Sequence, residues 1–366
     1  MRSLSFLYSP GRIQRLAAAR RGESPTEFFY GALELEKRGV DVRIVEADPL
    51  TPPHWPCAAL NFIGQNGPIK LDGHVAQAAY DALPAVKAGE VAVGTTGAHA
   101  FALALLKWTR RHATPVVGIQ CGLLNHPINR WRRLGTVALL RRMESMLFGE
   151  GEREPMLEAY PGIGDRLHVN QFGVDERFWT PGPARESGYV LAVGSDGRRD
   201  YDVLMAAARR VGAPFVVVTE KNRLHDPPAN VRHLEGAFWD GPSDLELRDL
   251  YRGAACVVTP LQPTRQPSGQ SVTLQAMACG RPVVLSDVEG LWSRETLRDR
   301  ETLLLAPPGD AAALAERIRE VLADSALASR LGSAAREAVC RHATIGQFAD
   351  RLLDICQKAL EREGGA

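Results

Sequence analysis

Short runs of apolar residues alternate along this chain with longer stretches whose apolar positions recur at helical spacing. In the first half the runs fall at 4–8, 42–45, 91–94 and 116–119, with helical patterns at 25–38 and 98–111. Alternation of this kind predicts a parallel, doubly wound α/β sheet. The stretch Phe178-Trp179-Thr180-Pro181-Gly182-Pro183 is rich in turn residues and reads as a linker. After it the alternation restarts, with runs at 189–193, 215–219, 256–259, 282–286 and 302–305. Two units of one class are therefore expected, over 1–180 and 185–345. Asp310 is placed to cap a helix through Leu322, and further helices are expected over 325–342 and 345–363.

One segment stands apart from this pattern. Ser268-Gly269-Gln270-Ser271 is a short loop, 272–279 reads as a helix apolar in nearly every direction, and Gly280 and Pro282 end it before the run at 282–286. Ser271 and Gln275 lie four apart on one face, and a polar stripe on a buried helix needs a partner. Backbone N–H groups and the helix dipole favour an anion at such a start. The plainer alternative is that the serines only cap the helix.

Composition narrows the function classes. With 44 basic and 43 acidic residues, 45% hydrophobic content and a net charge of +1, the chain carries neither a disorder signature nor a nucleic-acid footprint. Its six cysteines lack paired metal-ligand spacing and suit a reduced, cytoplasmic compartment. The N-terminal residues 1–8 read as a first strand rather than a signal peptide, and no window has the length of a membrane span.

Four blocks in fixed order resemble the family-4 (group 1) retaining glycosyltransferases. They are Gly173-Val174-Asp175, the loop Gly194-Ser195-Asp196-Gly197-Arg198-Arg199-Asp200, the segment 268–284, and Pro307-Pro308-Gly309-Asp310 with its following helix. The resemblance covers about 189–343 most clearly. It implies a GT-B architecture, two Rossmann-like domains facing across a cleft, with a final helix over 346–366 crossing back to the first domain. It also implies a nucleoside diphosphate sugar as donor, held against the second domain at the carboxyl ends of its strands. No cofactor and no metal are then required.

Site residues follow from the same resemblance. Arg198 and Arg199 stand where the family places cations that neutralise the leaving diphosphate, with surface pairs to Asp196, Asp200 or Asp202 as the alternative. Ser268, Gly269, Gln270 and Ser271 would hold the diphosphate. Pro267 and Gln275 occupy the positions of two family glutamates, so a sugar contact is lost and the ribose contact falls to an uncharged amide. Gly236, Ala237 and Phe238 fall where the base is commonly recognised. In the first domain Gly11 and Arg12 mark the expected phosphate approach. Gln120 replaces a common family histidine, leaving His99 and His126 as substitutes. His99 is carried forward as a catalytic candidate with Arg198 and Arg199.

The acceptor is not specified by these residues. Arg130-Trp131-Arg132-Arg133 and Arg141-Arg142 mark a basic helix that would attract a lipid-linked or other anionic acceptor, or a membrane surface, unless it is simply a solvated face. A glycan or a small molecule is equally compatible. The leading expectation is a metal-independent retaining glycosyltransferase acting on an acceptor hydroxyl. Its competitors are a sugar-nucleotide-binding or scaffolding protein without transfer activity and a GT-B-fold sugar-nucleotide epimerase.

Overall fold

The computed structural model describes residues 1–46, 52–55, 57–59, 71–120, 122–125, 130–182, 188–236 and 241–364. The chain divides into two compact units. The first comprises Met1–Arg21, Phe28–Gln171 and Phe348–Ala366; the second comprises Gly22–Glu27 and Phe172–Gln347.

The first unit is built on β1 (Ser3–Tyr8), β2 (Asp41–Glu46), β3 (Val91–Gly94), β4 (Val116–Ile119), β5 (Glu144–Leu147) and β6 (Leu167–Val169), all parallel, in the order β2-β1-β3-β4-β5-β6. Four of these strands are buried along their whole length, as a sheet covered on both faces requires. The strand order reverses between β1 and β3, the point where ligands gather in such sheets. The expected helix over 25–38 is broken. Tyr30 and Gly31 both take left-handed φ, separating a 3-10 turn, Glu27–Phe29, from the helix Ala32–Lys37. A Cβ at Gly31 would lie 3.1 Å from Ala349, so close approach to the final helix explains the glycine.

That final helix spans Ile345–Gly364, and from Phe348 onward it is part of the first unit. Phe348 joins Tyr30 and Phe148 in a cluster with ring centroids 6.3–6.5 Å apart. Its carbonyl accepts from Asn170 Nδ2 at 3.1 Å, and Arg351 Nε donates to Asn170 Oδ1 at 2.7 Å.

The second unit has β7 (Tyr189–Val193), β8 (Phe215–Thr219), β9 (Val231–Glu235), β10 (Ala254–Thr259), β11 (Val283–Ser286) and β12 (Leu304–Ala306), again parallel, in the order β12-β11-β10-β7-β8-β9. Counted within the unit, this is the 6-5-4-1-2-3 order of a Rossmann sheet, with its switch point between β7 and β10. Asp310 accepts from the N–H groups of Ala312 and Ala313 at 2.9 Å and caps the helix Ala311–Ala323, as expected. The helix Ser325–His342 has the expected bounds.

Phe178 and Trp179, which open the expected linker, are core residues, whereas Pro181 is exposed and Pro183 lies outside the described residues. Trp179 is fully buried, stacks edge-on to Tyr251 at 5.6 Å, and donates through Nε1 to Glu27 Oε1 at 2.7 Å. Arg336 holds the same segment, with Nη1 donating to the carbonyls of Trp179 and Ala278 at 2.8 and 2.9 Å. The turn residues set the backbone, while the two aromatic side chains beside them supply the packing.

Candidate functional site

The switch point of the second sheet is where its most constrained polar groups meet. The loop after β7 and the loop after β10 are fastened by a bridge between Arg199 and Leu261, by Gln262 N to Arg198 O at 2.9 Å, and by Asp200 N to Pro260 O at 3.1 Å. Arg199 is thereby carried inward and is only 5% exposed. Its Nε donates to Val193 O at 3.3 Å, and Nη1 lies 3.1 Å from Asp196 Oδ2. Two glycines make the space. A Cβ at Gly194 would fall 2.5 Å from Arg199 Nε, and one at Gly269 would fall 2.9 Å from Nη1. A surface pair with Asp196 therefore does form, but on a guanidinium buried beneath the loop.

Gly269 is also the N-cap of the helix Gln270–Ala278, in the left-handed conformation at φ 74°, with no side chain capping it. Ser268 instead donates to Asp196 Oδ1 at 3.0 Å, so capping by the loop serines is not what the segment is for. The far end closes with Gly280 N to Met277 O and Arg281 N to Ala276 O, a Schellman motif on the expected glycine. An uncapped helix start beside a buried arginine is a concentrated positive site. Asp196 accepts from Arg198 N at 2.8 Å and from Ser268 Oγ, and pairs ionically with Arg199 Nη1.

A similar arrangement occurs in the first unit. Gly11, at φ 94°, is the N-cap of the helix Arg12–Arg20, and Glu46 at the end of β2 accepts from Gly11 N at 2.7 Å and Ile13 N at 2.5 Å. The expected phosphate approach is thus filled by a carboxylate of the chain itself. Arg12 lies 5.4 Å above the Phe28 ring.

Gln275 is 2% exposed, and both ends of its amide are bonded within the unit. Tyr251 donates to Oε1 at 3.1 Å, and Nε2 donates to Glu27 Oε1 at 3.0 Å. The partner of the polar stripe is therefore a carboxylate on the short segment Gly22–Glu27, which nothing in the periodicity singled out. Thr26 bonds Asp175 Oδ2 through N at 3.2 Å and Oγ1 at 2.7 Å, and Asp175 N donates to Glu27 Oε2 at 3.1 Å. Burial pushes the Glu27 carboxyl up to about 7, against the donors that favour its charge. The Gly173-Val174-Asp175 block is thus the anchor for this segment.

His99 lies in the first turn of the helix Gly97–Trp108, after β3, with Nδ1 2.8 Å from Thr96 Oγ1. Burial lowers it to about 4, so its ring is neutral at physiological pH. Gln120 is buried at the end of β4, its Oε1 lying 2.8 Å from where a Cβ at Gly97 would stand. Gly236, at φ 140°, donates from N to Thr219 O at 3.0 Å. Ala237, Phe238 and His126 lie outside the described residues. The basic helix Arg130–Leu140 exposes Trp131 at 72% and also Leu134. Among the described residues no His/Cys/Asp/Glu group of three could hold a metal ion, and no helix is long and apolar enough to cross a membrane.

Two doubly wound units with a cationic loop at a Rossmann switch point define a GT-B protein, and solved glycosyltransferases share the fold over nearly the whole chain. A glycosyltransferase from Rickettsia africae ESF-5 gives a TM-score of 0.71 at 15% identity, covering 98% of this chain and 99% of that one. Sucrose-phosphate synthase from Thermosynechococcus elongatus gives 0.70 at 18% identity, covering 99% and 100%. Anabaena HepE in complex with UDP and glucose gives 0.68 at 14%, covering 98% and 100%. Residues 188–324, within the second unit, match the family model of glycosyl transferases group 1. The alpha-maltose-1-phosphate synthase of Mycobacterium tuberculosis (strain CDC 1551 / Oshkosh) is 30% identical over 239 residues, 56% of this chain and 60% of that protein. D-inositol 3-phosphate glycosyltransferase 1 of Catenulispora acidiphila is 28% identical, covering 57% and 56%. The chain thus spans less than two thirds of the curated relatives it matches.

Proposed function

We propose that this protein transfers a sugar, with retention, from a nucleoside diphosphate sugar to an acceptor hydroxyl. The observation that carries the reading is the buried Arg199 guanidinium set against the uncapped, glycine-started helix Gln270–Ala278. The diphosphate takes the place of the Asp196 carboxylate among Arg198 N, Arg199 Nη1 and Ser268 Oγ. Negative charge developing on the leaving diphosphate is stabilised there by groups that are already oriented. In a same-face substitution the leaving phosphate oxygen takes the acceptor proton, so no separate base is demanded. His99, neutral and only 2% exposed, is the catalytic candidate of the first unit.

UDP-glucose is the first donor to try, since HepE is similar in fold and one of its solved complexes is with UDP-glucose. Release of nucleoside diphosphate from UDP-, GDP- and ADP-sugars should be measured with and without EDTA. Turnover that persists in EDTA supports the reading; neither turnover nor nucleotide binding with any donor overturns it. Arg199→Ala should lower kcat/KM by about 100-fold or more while Arg199→Lys retains part of it. Equal loss of folding in both variants would assign Arg199 a structural role only. The absence of carboxylates at Pro267 and Gln275 favours one competitor, a sugar-nucleotide-binding protein without transfer. Calorimetric donor binding with no consumption, even with mixed acceptors, would select it.

A further inference from the structure

The first unit contains a cavity unrelated to either strand-end site. It has a volume of about 430 Å³, within the range of roughly 300–1,000 Å³ typical of small-molecule sites. Its floor is Ala76, Ala102, Leu105 and Leu106, supplied by the helices Gly73–Asp81 and Gly97–Trp108. Leu105 lies six residues beyond His99, about 9 Å along the helix. The cavity is therefore toward the end of the unit remote from the strand carboxyl ends.

Two features state what it would hold. Two of its polar side chains are already bonded within the unit: Gln77 Oε1 accepts from His54 N at 2.9 Å, Gln77 Nε2 donates to Asp81 Oδ1 at 2.8 Å, and Thr109 Oγ1 donates to Leu105 O at 3.0 Å. A pocket lined mainly by apolar side chains, with its central amide and hydroxyl already bonded, favours the hydrocarbon part of a ligand. The mouth, by contrast, carries unspent positive charge. Arg111 lines it, Arg110 is its exposed neighbour, and neither side chain has a hydrogen-bonding or ionic partner among the described residues. Nearly half-exposed Tyr80 borders the same opening.

We propose that this cavity binds a single-chain anionic amphiphile, with the alkyl chain on the Ala76–Ala102–Leu105–Leu106 floor and the acidic head at Arg111. The site is separate from sugar transfer and does not depend on that reading. The test is calorimetric titration of the full chain with straight-chain carboxylates from hexanoate to dodecanoate, below their micelle concentrations, and with the matching alcohols. Each added methylene should tighten binding up to about fourfold, the equivalent of about 0.8 kcal/mol, until the cavity is full. Carboxylates should bind more tightly than alcohols, and Arg111→Gln, an exposed position, should erase that preference while leaving the chain-length dependence. Leu106→Trp, which fills the floor from a partly buried position, should abolish binding of both series. Lack of binding by every carboxylate, a flat chain-length series, or unchanged binding in Leu106→Trp would overturn the proposal. A carboxylate preference that survives Arg111→Gln would do the same for the head-group assignment.

Discussion

The resemblance to group 1 glycosyltransferases leads one to expect a glutamate at position 275, and Glu27 supplies a physical reason for the glutamine found there. A carboxylate at 275 would meet Glu27 Oε1 across the 3.0 Å now spanned by a hydrogen bond, inside a buried site. Two like charges there cannot both ionise without cost. Glu27 already titrates near 7 against an ordinary 4.5, so its stabilising contribution is fully present below about 4.5 and is lost as pH rises through 7. Gln275→Glu adds a second group with the same sign. It should destabilise the protein by on the order of 1–3 kcal/mol at pH 8 and by less at pH 5, with Glu27→Gln restoring part of the loss in the double variant. Urea melts at the two pH values check this; a loss independent of pH, or no coupling between the sites, would show that the pair does not share its charge.

At the scale of single elements, the start of the helix Gln270–Ala278 depends on one backbone conformation. Gly269→Ala must hold φ 74° and place a Cβ 2.6 Å from Thr259 Cγ2. We expect a loss of stability of about 1–3 kcal/mol together with weakened UDP binding, read by melting and by calorimetry on the same sample. Unchanged nucleotide affinity in a destabilised but folded variant would separate the glycine from the anion site. This helix was legible in the sequence, as were β3, β4, β7 and β8 with their bounds, because an unbroken apolar run ended by glycine or proline has one simple reading. β5 escaped that reading because it opens on Glu144. The buried carboxylate is offset by Arg166 and Arg362 at 3.0 Å and His168 at 2.8 Å, partners distant in sequence. Trp179 was hidden for a related reason, since proline and glycine describe the backbone and not what a neighbouring indole packs against. The Arg199 loop was legible as charge next to glycine, but the depth of the arginine comes from contacts with the next loop. Glu27 had no local signal at all.

At the scale of the whole molecule, each unit takes in a segment remote from the rest of it in sequence. Gly22–Glu27 belongs to the second unit, and Phe348–Ala366 to the first. Removing residues after Gln347 should leave Tyr30 and Phe148 without Phe348 and Asn170 without Arg351. The truncated chain is expected to lose cooperative melting of the first unit while the second still unfolds as a separate transition, and a peptide of residues 348–364 added in trans should restore the first. Two unchanged transitions after truncation would show that the helix contributes little.

The placement of that final helix also orders events in time. The first unit leaves the ribosome first, yet it lacks its last helix until the whole second unit has been translated. At about 5–20 residues per second, the wait is roughly ten seconds to half a minute. During that interval the aromatic pair at Tyr30 and Phe148 is without its Phe348 cover. The unit made first is thus the one completed last, and the interval in which it is vulnerable to aggregation is set by the speed of translation through its neighbour.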